Sequence, residues 1–137
     1  MTPAVFKEGH GPWREVLDAA GFEVVIPPVN CMQISSKEFL TFLDGIDGTI
    51  AGIEQYNPQV FDGSNLKVVA RIGVGFDQVD LKSATEHGVT VTITPGTNEH
   101  SVAEQAIALI TAVFRDTVRR DREIRDGEWR RNSPRRL

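Results

Sequence analysis

The stretch Leu66-Lys-Val-Val-Ala-Arg-Ile-Gly-Val-Gly-Phe-Asp-Gln-Val-Asp80 decides the fold of this chain. A nearly continuous apolar run leads into two closely spaced glycines, Gly73 and Gly75, which is typical of a strand buried on both faces of a parallel sheet. Asp80 offers an N-cap for a helix over residues 81–87, which ends before Gly88. The pattern therefore predicts a strand over residues 66–72, a glycine loop and a helix, in that order.

Similar units lie on both sides of this stretch. Further strands are predicted over residues 22–27, 48–52 and 89–93. Helical patterns are predicted over 12–20, with a stop at Gly21, over 35–43, with a capping box from Ser35 to Glu38, and over 57–61. Strands that alternate with helices predict an α/β fold on a parallel sheet. We expect its first strand to be missing, because residues 1–6 are short and interrupted by Pro3.

A second loop, Thr94-Pro-Gly-Thr-Asn98, leads into the capping box Ser101-Val-Ala-Glu104. This box predicts one long helix from Val102 to about Asp126. Its apolar positions are expected to form a broad buried stripe: Ala106, Ile107, Leu109, Ile110, Val113 and Phe114. We expect two parts, a sheet-bearing lobe over residues 1–99 and a helix with an arginine-rich tail over residues 100–137.

The glycine loop is the best candidate for a binding site. A dinucleotide fingerprint would need a third glycine where Gln78 stands, and the helix begins only after Asp80, so cofactor binding by this loop is not favoured. The N–H groups of Val74 and Gly75 could instead bind a carboxylate. A turn that only connects strand and helix is the alternative. Arg71 could steer an anion or pair with an acidic side chain, and both interpretations stay open.

Composition excludes several classes of protein. The single cysteine, Cys31, excludes an internal disulfide, and the three histidines share no metal-ligand spacing, so no metal site is predicted. No apolar run approaches the roughly 20 residues of a membrane span and no secretory signal is evident, so we expect a cytoplasmic protein. Residues 115–137 hold nine arginines and five acidic residues, interleaved at helical spacing, which favours intrahelical pairing over nucleic-acid binding.

Several motifs in order resemble the D-isomer-specific 2-hydroxyacid dehydrogenases, with the D-3-phosphoglycerate dehydrogenase branch most similar. They are the stretch from Leu66 to Leu81, the segment from Gly88 to Glu104, and Arg125-Asp-Gly-Glu-Trp-Arg130. The resemblance is strong from Ala51 to about Arg130 and looser before it, where Ala19-Ala-Gly-Phe-Glu-Val-Val25 still fits. It implies a flavodoxin-like substrate-binding lobe, followed by a long helix that helps to build a dimer.

The resemblance also implies an activity, the NAD-dependent oxidation of a D-2-hydroxy acid to a 2-keto acid. By position, the backbone at Val74 and Gly75 resembles the family's carboxylate site, Asn98 a substrate contact, and Val102 a residue that lines the nicotinamide pocket. The family's catalytic arginine, glutamate and histidine follow a Gly-x-Gly-x-x-Gly motif that this sequence lacks. No catalytic residue is therefore assigned, and we expect the chain alone to be inactive, with weak or no NAD binding.

Two functions follow as hypotheses. The first is the substrate-binding part of a D-2-hydroxyacid dehydrogenase, truncated before the nucleotide-binding domain, with a small 2-hydroxy or 2-keto acid as ligand and a homodimer as the assembly. The second is a non-catalytic module that binds a carboxylate or pairs with a full-length homologue through its helix. A nucleic-acid binder is the least favoured interpretation. Glu54 and Tyr56 stand where a phosphate would need positive charge, which disfavours a phosphorylated substrate.

Overall fold

The structure is a computed structural model that describes residues 9–28, 31 and 34–129. It divides into two compact units, one up to Thr97 and one from Asn98 onward. The expectation of a missing first strand rests on residues 1–6, which lie outside the described residues. The division at residues 99 and 100 expected from the sequence stays a prediction.

The first unit is built on a parallel sheet of three strands. These are β1 (Gly48–Ala51), β2 (Val68–Arg71) and β3 (Thr90–Thr92), in the spatial order β1-β2-β3. Ala51 lies opposite Arg71 across the first pair of strands, and Ala70 lies opposite Thr92 across the second. The predicted α/β fold on a parallel sheet is confirmed, and because β2 is central, the loop that follows it is flanked by the loops after both neighbours.

Four short helices accompany the sheet. They are α1 (Pro12–Ala19), α2 (Ser36–Thr41), α3 (Pro58–Asp62) and α4 (Leu81–Glu86). Two predicted N-caps are confirmed: the Ser35 hydroxyl accepts from the Glu38 N–H at 3.2 Å, and the Asp80 carboxylate accepts from the Ser83 N–H at 2.8 Å. Each cap satisfies a backbone donor that the first helical turn leaves without a partner. Helices α2 and α4 therefore begin where their polar caps stand.

The hydrophobic core joins the strands to α2, α3 and α4. Val69 of β2 and Val60 of α3 are fully buried, and the ring of Phe39 meets that of Tyr56 edge-on at 5.5 Å between centroids. Along β2, Val69 and Arg71 are buried while the alternate residues are only half-buried. The prediction of burial on both faces is therefore correct for one face of β2 and too strong for the other.

The predicted strand over residues 22–27 is wrong. The end of the preceding helix is as predicted: Gly21 adopts a positive φ of 81° and the Phe22 N–H donates to the Leu17 carbonyl at 3.0 Å. The following residues are irregular, and Phe22 and Val25 are 63% and 60% exposed. A strand exists only where a neighbour completes its backbone hydrogen bonds, and no described segment pairs with this one.

The second unit holds two helices instead of the predicted single one. They are α5 (Glu99–Phe114) and α6 (Thr117–Arg125), separated at Asp116, which has a left-handed φ of 52°. The predicted capping box is also wrong, because α5 begins at Glu99 with Asn98 as N-cap, so Ser101 lies inside the helix. The Val102 N–H donates to the Asn98 carbonyl at 3.0 Å, so helical hydrogen bonding begins ahead of Ser101.

The apolar stripe of α5 is exposed and not buried as predicted. Ile107 is 65% exposed and Val113 is 73% exposed, and none of the residues of α5 is buried. Among the described residues of its unit, up to Trp129, α5 has only α6 to pack against. One neighbouring helix cannot cover a broad apolar stripe. In α6 the predicted ion pairs are present: Arg119 contacts Asp116 at 3.0 Å and Glu123 at 3.2 Å.

No helix in the described ranges is both long enough and apolar enough to cross a bilayer.

Removing the cap of α4 should lower stability measurably. We expect Asp80→Ala to reduce the free energy of unfolding by about 1 kcal/mol, because the Ser83 N–H loses its acceptor in a buried residue. Asp80→Asn keeps an acceptor oxygen and should retain most of that stability. Urea unfolding measures both, and equal midpoints for the Ala and Asn variants would contradict the role of the cap.

Candidate functional site

The glycine loop, residues 72–79, follows β2 at the carboxyl edge of the sheet. Parallel strands bring their carboxyl ends to one edge, so the loops after β1 and β3 lie beside it. Hydrogen bonds tie the glycine loop to both neighbours: the Ile72 N–H donates at 3.0 Å to the carbonyl of Ala51, the last residue of β1, and the Thr94 N–H donates to the Gly73 carbonyl at 3.0 Å. The loop is therefore held from both sides.

The pairing between the first two chain segments resumes after their loops. Tyr56 and Val79 form a parallel bridge, in which the Tyr56 N–H donates to the Gln78 carbonyl at 2.7 Å and the Asp80 N–H donates to the Tyr56 carbonyl at 2.8 Å. The side chains of Gln55 and Gln78 also form a hydrogen bond. The loop after β1, residues 52–55, and the glycine loop are thus anchored before and after the candidate site.

Gly73 turns the chain out of β2 through a backbone conformation that other residues rarely adopt. Its φ is 155°, and a Cβ built on it would meet no heavy atom within 4 Å, so the demand for glycine is conformational and not spatial. Gly75 has no positive φ, and a Cβ there would only touch the Asp77 carboxylate at 3.5 Å. The two glycines of the loop therefore serve different purposes.

The N–H groups of Val74 and Gly75 lie on the exposed part of the loop. Both residues are exposed, and within the described ranges neither N–H donates to a protein acceptor. Two adjacent exposed N–H groups at a strand end can both donate to one bound anion. Their assignment to a substrate carboxylate stays a prediction.

Arg71 lies beneath this loop and not on its surface. The residue is 7% exposed; its Nε donates to the Gly75 carbonyl at 2.9 Å and its Nη1 donates to the Gly52 carbonyl. These contacts correspond to neither of the two alternatives for Arg71, an anion or an acidic side chain, because both acceptors are backbone carbonyls, in neighbouring loops. The substrate contact proposed for it from the sequence stays a prediction.

Glu54 carries a buried carboxyl group near Arg71, and the sequence did not predict this burial. It is 1% exposed, and its Oε2 accepts from the Gly52 N–H at 2.7 Å. Burial raises the pKa of the Glu54 carboxyl, while the Gly52 N–H and the positive charge of Arg71 act in the opposite direction. The only signal in the sequence is a Gly-x-Glu directly after a strand, which does not by itself predict burial.

Tyr56 completes the buried side of the site. It is 1% exposed and its hydroxyl donates to the Thr49 hydroxyl at 3.0 Å. Burial raises the pKa of the Tyr56 phenol far above its usual range, so the group stays neutral at physiological pH. Tyr56 is therefore a structural anchor for the loop after β1.

Asn98 and Val102 belong to the second unit. Asn98 is the N-cap of α5, where its side chain makes no capping bond and its N–H donates to Glu99 Oε2 at 3.2 Å. Val102 is 58% exposed. The structure brings Arg71, Val74 and Gly75 together in one place, while the predicted roles of Asn98 and Val102 stay predictions.

The glycine loop does not fit a dinucleotide pyrophosphate. Such a group needs free N–H donors at the start of the following helix. Here α4 has only six residues, and the carboxylate of Asp80 already accepts from its Ser83 N–H. NAD would thus have to be held by other residues. Among the described residues, no group of three potential metal ligands comes together.

A known protein family matches the sequence of this chain. The family model described as the catalytic domain of D-isomer specific 2-hydroxyacid dehydrogenases matches residues 4–121. The chain belongs to this family. The sequence resemblance is thereby confirmed over most of the chain.

Two curated members of the dehydrogenase family show how the chain compares with full proteins. D-3-phosphoglycerate dehydrogenase 3, chloroplastic, from Arabidopsis thaliana is 38% identical over 124 residues, which are 86% of this chain and 21% of that protein. Glyoxylate reductase from Pyrococcus furiosus is 33% identical over 101 residues, which are 72% of this chain and 30% of that protein. The chain thus spans less than a third of the length of either relative.

Solved structures share the fold. The TT0316 protein from Thermus thermophilus is 34% identical with a TM-score of 0.75, covering 90% of this chain and 40% of that one. An NAD-dependent formate dehydrogenase from Staphylococcus aureus, solved in complex with NAD, is 28% identical with a TM-score of 0.74, covering 86% and 35%. The similarity therefore includes the three-dimensional arrangement of the family's catalytic domain.

The two loop glycines should respond differently to alanine. Gly73→Ala forces a side chain into a φ of 155° and should lower the free energy of unfolding by about 1–3 kcal/mol. Gly75→Ala, the matched control, meets only an ordinary contact and should change stability by less than about 1 kcal/mol. Chemical denaturation compares them, and equal losses in both variants would show that Gly73 is not conformationally required.

Proposed function

We propose that the glycine loop binds the carboxylate of a D-2-hydroxy acid, or of the corresponding 2-keto acid, through the N–H groups of Val74 and Gly75. The observation that carries this proposal is the pair of exposed amides without a described acceptor, at the carboxyl edge of a parallel sheet. Other polar groups of the loop are bonded internally, since the carbonyls of Gly73 and Gly75 accept from Thr94 and Arg71. Membership of the dehydrogenase family supports the class of ligand.

The expected affinity is modest. A hydrogen bond to a charged group contributes about 1.5–3 kcal/mol before the cost of immobilising the ligand is subtracted. Two such bonds contribute about 3–6 kcal/mol together, so that after this cost is subtracted the dissociation constant is expected in the millimolar range or weaker. The chain is therefore proposed to orient the acid, while tight binding and turnover need further groups.

The reaction proposed for the complete enzyme is the NAD-dependent oxidation of the acid to a 2-keto acid. A hydride leaves C2 and the hydroxyl proton must pass to a general base, a role that we assign to no residue of this sequence. Asn98 is proposed to contact the substrate and Val102 to line the nicotinamide pocket. The chain alone is proposed to bind the acid without oxidising it.

The proposed substrate is a small acid without a phosphate group. The loops over residues 52–55 and 72–79 contain no lysine or histidine, and their flanking arginine, Arg71, is buried. Their exposed side chains include Ile53, Val74 and Phe76, which are 59%, 44% and 46% exposed. Phosphate recognition uses cations and several donors, whereas these side chains suit a short apolar substituent.

A second candidate is a module that pairs with another protein of its family without catalysis. The exposed apolar residues of α5 favour it, since a surface of this kind is rarely left in water. We propose a homodimer as the ordinary assembly and pairing with a full-length homologue as the alternative. A cytoplasmic location stays a prediction.

Carboxylate binding can be tested on the isolated chain by NMR. Addition of glyoxylate, pyruvate or D-lactate to the ¹⁵N-labelled chain should shift the Val74 and Gly75 amide resonances with millimolar midpoints, because both donate to the incoming charge. Lactamide, which lacks the carboxylate, is the matched control ligand and should cause much smaller shifts. The same samples with NAD and D-lactate should form no NADH, as followed by its absorbance.

Saturating shifts elsewhere, with those two resonances unmoved, would contradict the proposed site. NADH formation would show that the chain is active alone.

The assembly can be tested by sedimentation equilibrium. We expect a dimer at micromolar concentration, and Ile110→Glu should shift it to a monomer, because a charge cannot be buried in an apolar interface without a partner. Gln105→Glu, on the same helix, is the control for added charge and should leave the dimer intact. A monomer at every concentration of the unmodified chain would contradict the proposed dimer.

A further inference from the structure

A chain of hydrogen bonds links the loop after β1 to the glycine loop through two buried charged side chains. Glu54 Oε2 accepts from the Gly52 N–H at 2.7 Å, and Arg71 Nη1 donates to the Gly52 carbonyl. Arg71 Nε then donates to the Gly75 carbonyl at 2.9 Å. Both polar groups of Gly52 are therefore held by side chains, and one of these side chains also holds Gly75.

We propose that Glu54 and Arg71 are positioning residues, which hold the glycine loop in the one conformation that presents the Val74 and Gly75 amides to a carboxylate. The inference rests on the proposed function of that loop. Neither side chain is assigned a contact with the ligand.

The burial of the two side chains supports a role beyond stability. Glu54 is 1% exposed and Arg71 is 7% exposed, and the positive charge of Arg71 acts on the Glu54 carboxyl. Buried opposite charges can often be replaced by apolar side chains without loss of stability. Apolar side chains could not orient the backbone carbonyls of Gly52 and Gly75, which lie in separate loops, because this orientation needs hydrogen-bond donors at fixed angles.

The geometry of the guanidinium fits this task. Its planar fork presents several donors in fixed directions, so one side chain can hold the carbonyls of Gly52 and Gly75 at once. Lysine carries the same charge on a single nitrogen and cannot reproduce both directions. Charge and positioning can therefore be separated by substitution.

The loop needs such support because glycine has more conformational freedom than other residues. With Gly73 and Gly75 on either side of Val74, an unsupported loop would sample many conformations, and ligand binding would have to order it. A loop that is ordered in advance keeps its two donors in place before the anion arrives.

The test measures glyoxylate affinity and loop mobility in the full chain. Arg71→Lys should weaken binding about tenfold, the loss of roughly one hydrogen bond to a charged group, although the positive charge is kept. Glu54→Ala should weaken it similarly, and Glu54→Gln, which keeps an acceptor for the Gly52 N–H, should restore most of the affinity. Arg14→Lys, in α1, is the control for the arginine-to-lysine change.

Backbone ¹⁵N relaxation without ligand gives a second readout that a loss of global stability would not produce. Order parameters of residues 74–76 should be near 0.85 in the unmodified chain and below about 0.6 in Arg71→Lys and Glu54→Ala. Unchanged affinity and unchanged order parameters in Arg71→Lys would overturn the proposal. An equal loss of glyoxylate affinity in Glu54→Gln and Glu54→Ala would overturn it too. The negative charge of Glu54 would then matter, and not the side-chain oxygen that accepts from the Gly52 N–H.

Two further outcomes have defined meanings. Should Arg71→Lys fail to fold, the comparison of Glu54→Ala with Glu54→Gln decides between support and rejection. Should the unmodified chain not bind glyoxylate, the proposed function fails, while the order parameters still decide whether the two side chains hold the loop.

Discussion

Parallel pairing of β2 with both of its neighbours is the constraint on which the candidate site depends. It brings the carboxyl ends of three strands to one edge, so that the loops after β1, β2 and β3 can exchange hydrogen bonds. The bridge between Tyr56 and Val79 closes the arrangement on its far side. The glycine loop directs the carbonyls of Gly73 and Gly75 to internal donors and leaves the exposed Val74 and Gly75 amides without a described acceptor.

Burial of Glu54 and Arg71 follows from the same constraint. The two residues come from different chain segments and would not meet without the register that sets Ala51 opposite Arg71. Glu54 accepts from the Gly52 N–H and Arg71 donates to the Gly52 carbonyl. Gly52 follows the end of β1, so the strand pairing no longer satisfies these two backbone groups. A buried polar cluster of this kind favours the conformation in which its donors and acceptors meet, because an unpaired polar group is costly away from water.

The second unit shows where local patterns mislead. Periodicity predicted one long helix, and local capping chemistry placed its start at Ser101, yet α5 begins at Glu99 and the helix breaks at Asp116. Ion pairs at helical spacing were correctly predicted, since they depend only on neighbours three or four residues apart. The prediction that the α5 stripe is buried is wrong. Apolar spacing indicates which face of a helix would be buried, but it does not supply a partner to cover that face.

The α/β class, the parallel sheet and the capped starts of α2 and α4 could be determined from the sequence, because alternation, spacing and caps act over a few residues. The family was identified from the resemblance of its motifs. Only the tertiary structure decided that residues 22–27 form no strand, that Arg71 faces two carbonyls, and that Glu54 is buried. These outcomes depend on which segments pair across the sheet. The strand pairing and the hydrogen bond from Arg71 to the Gly52 carbonyl join residues that are distant in the chain, and local patterns do not encode them.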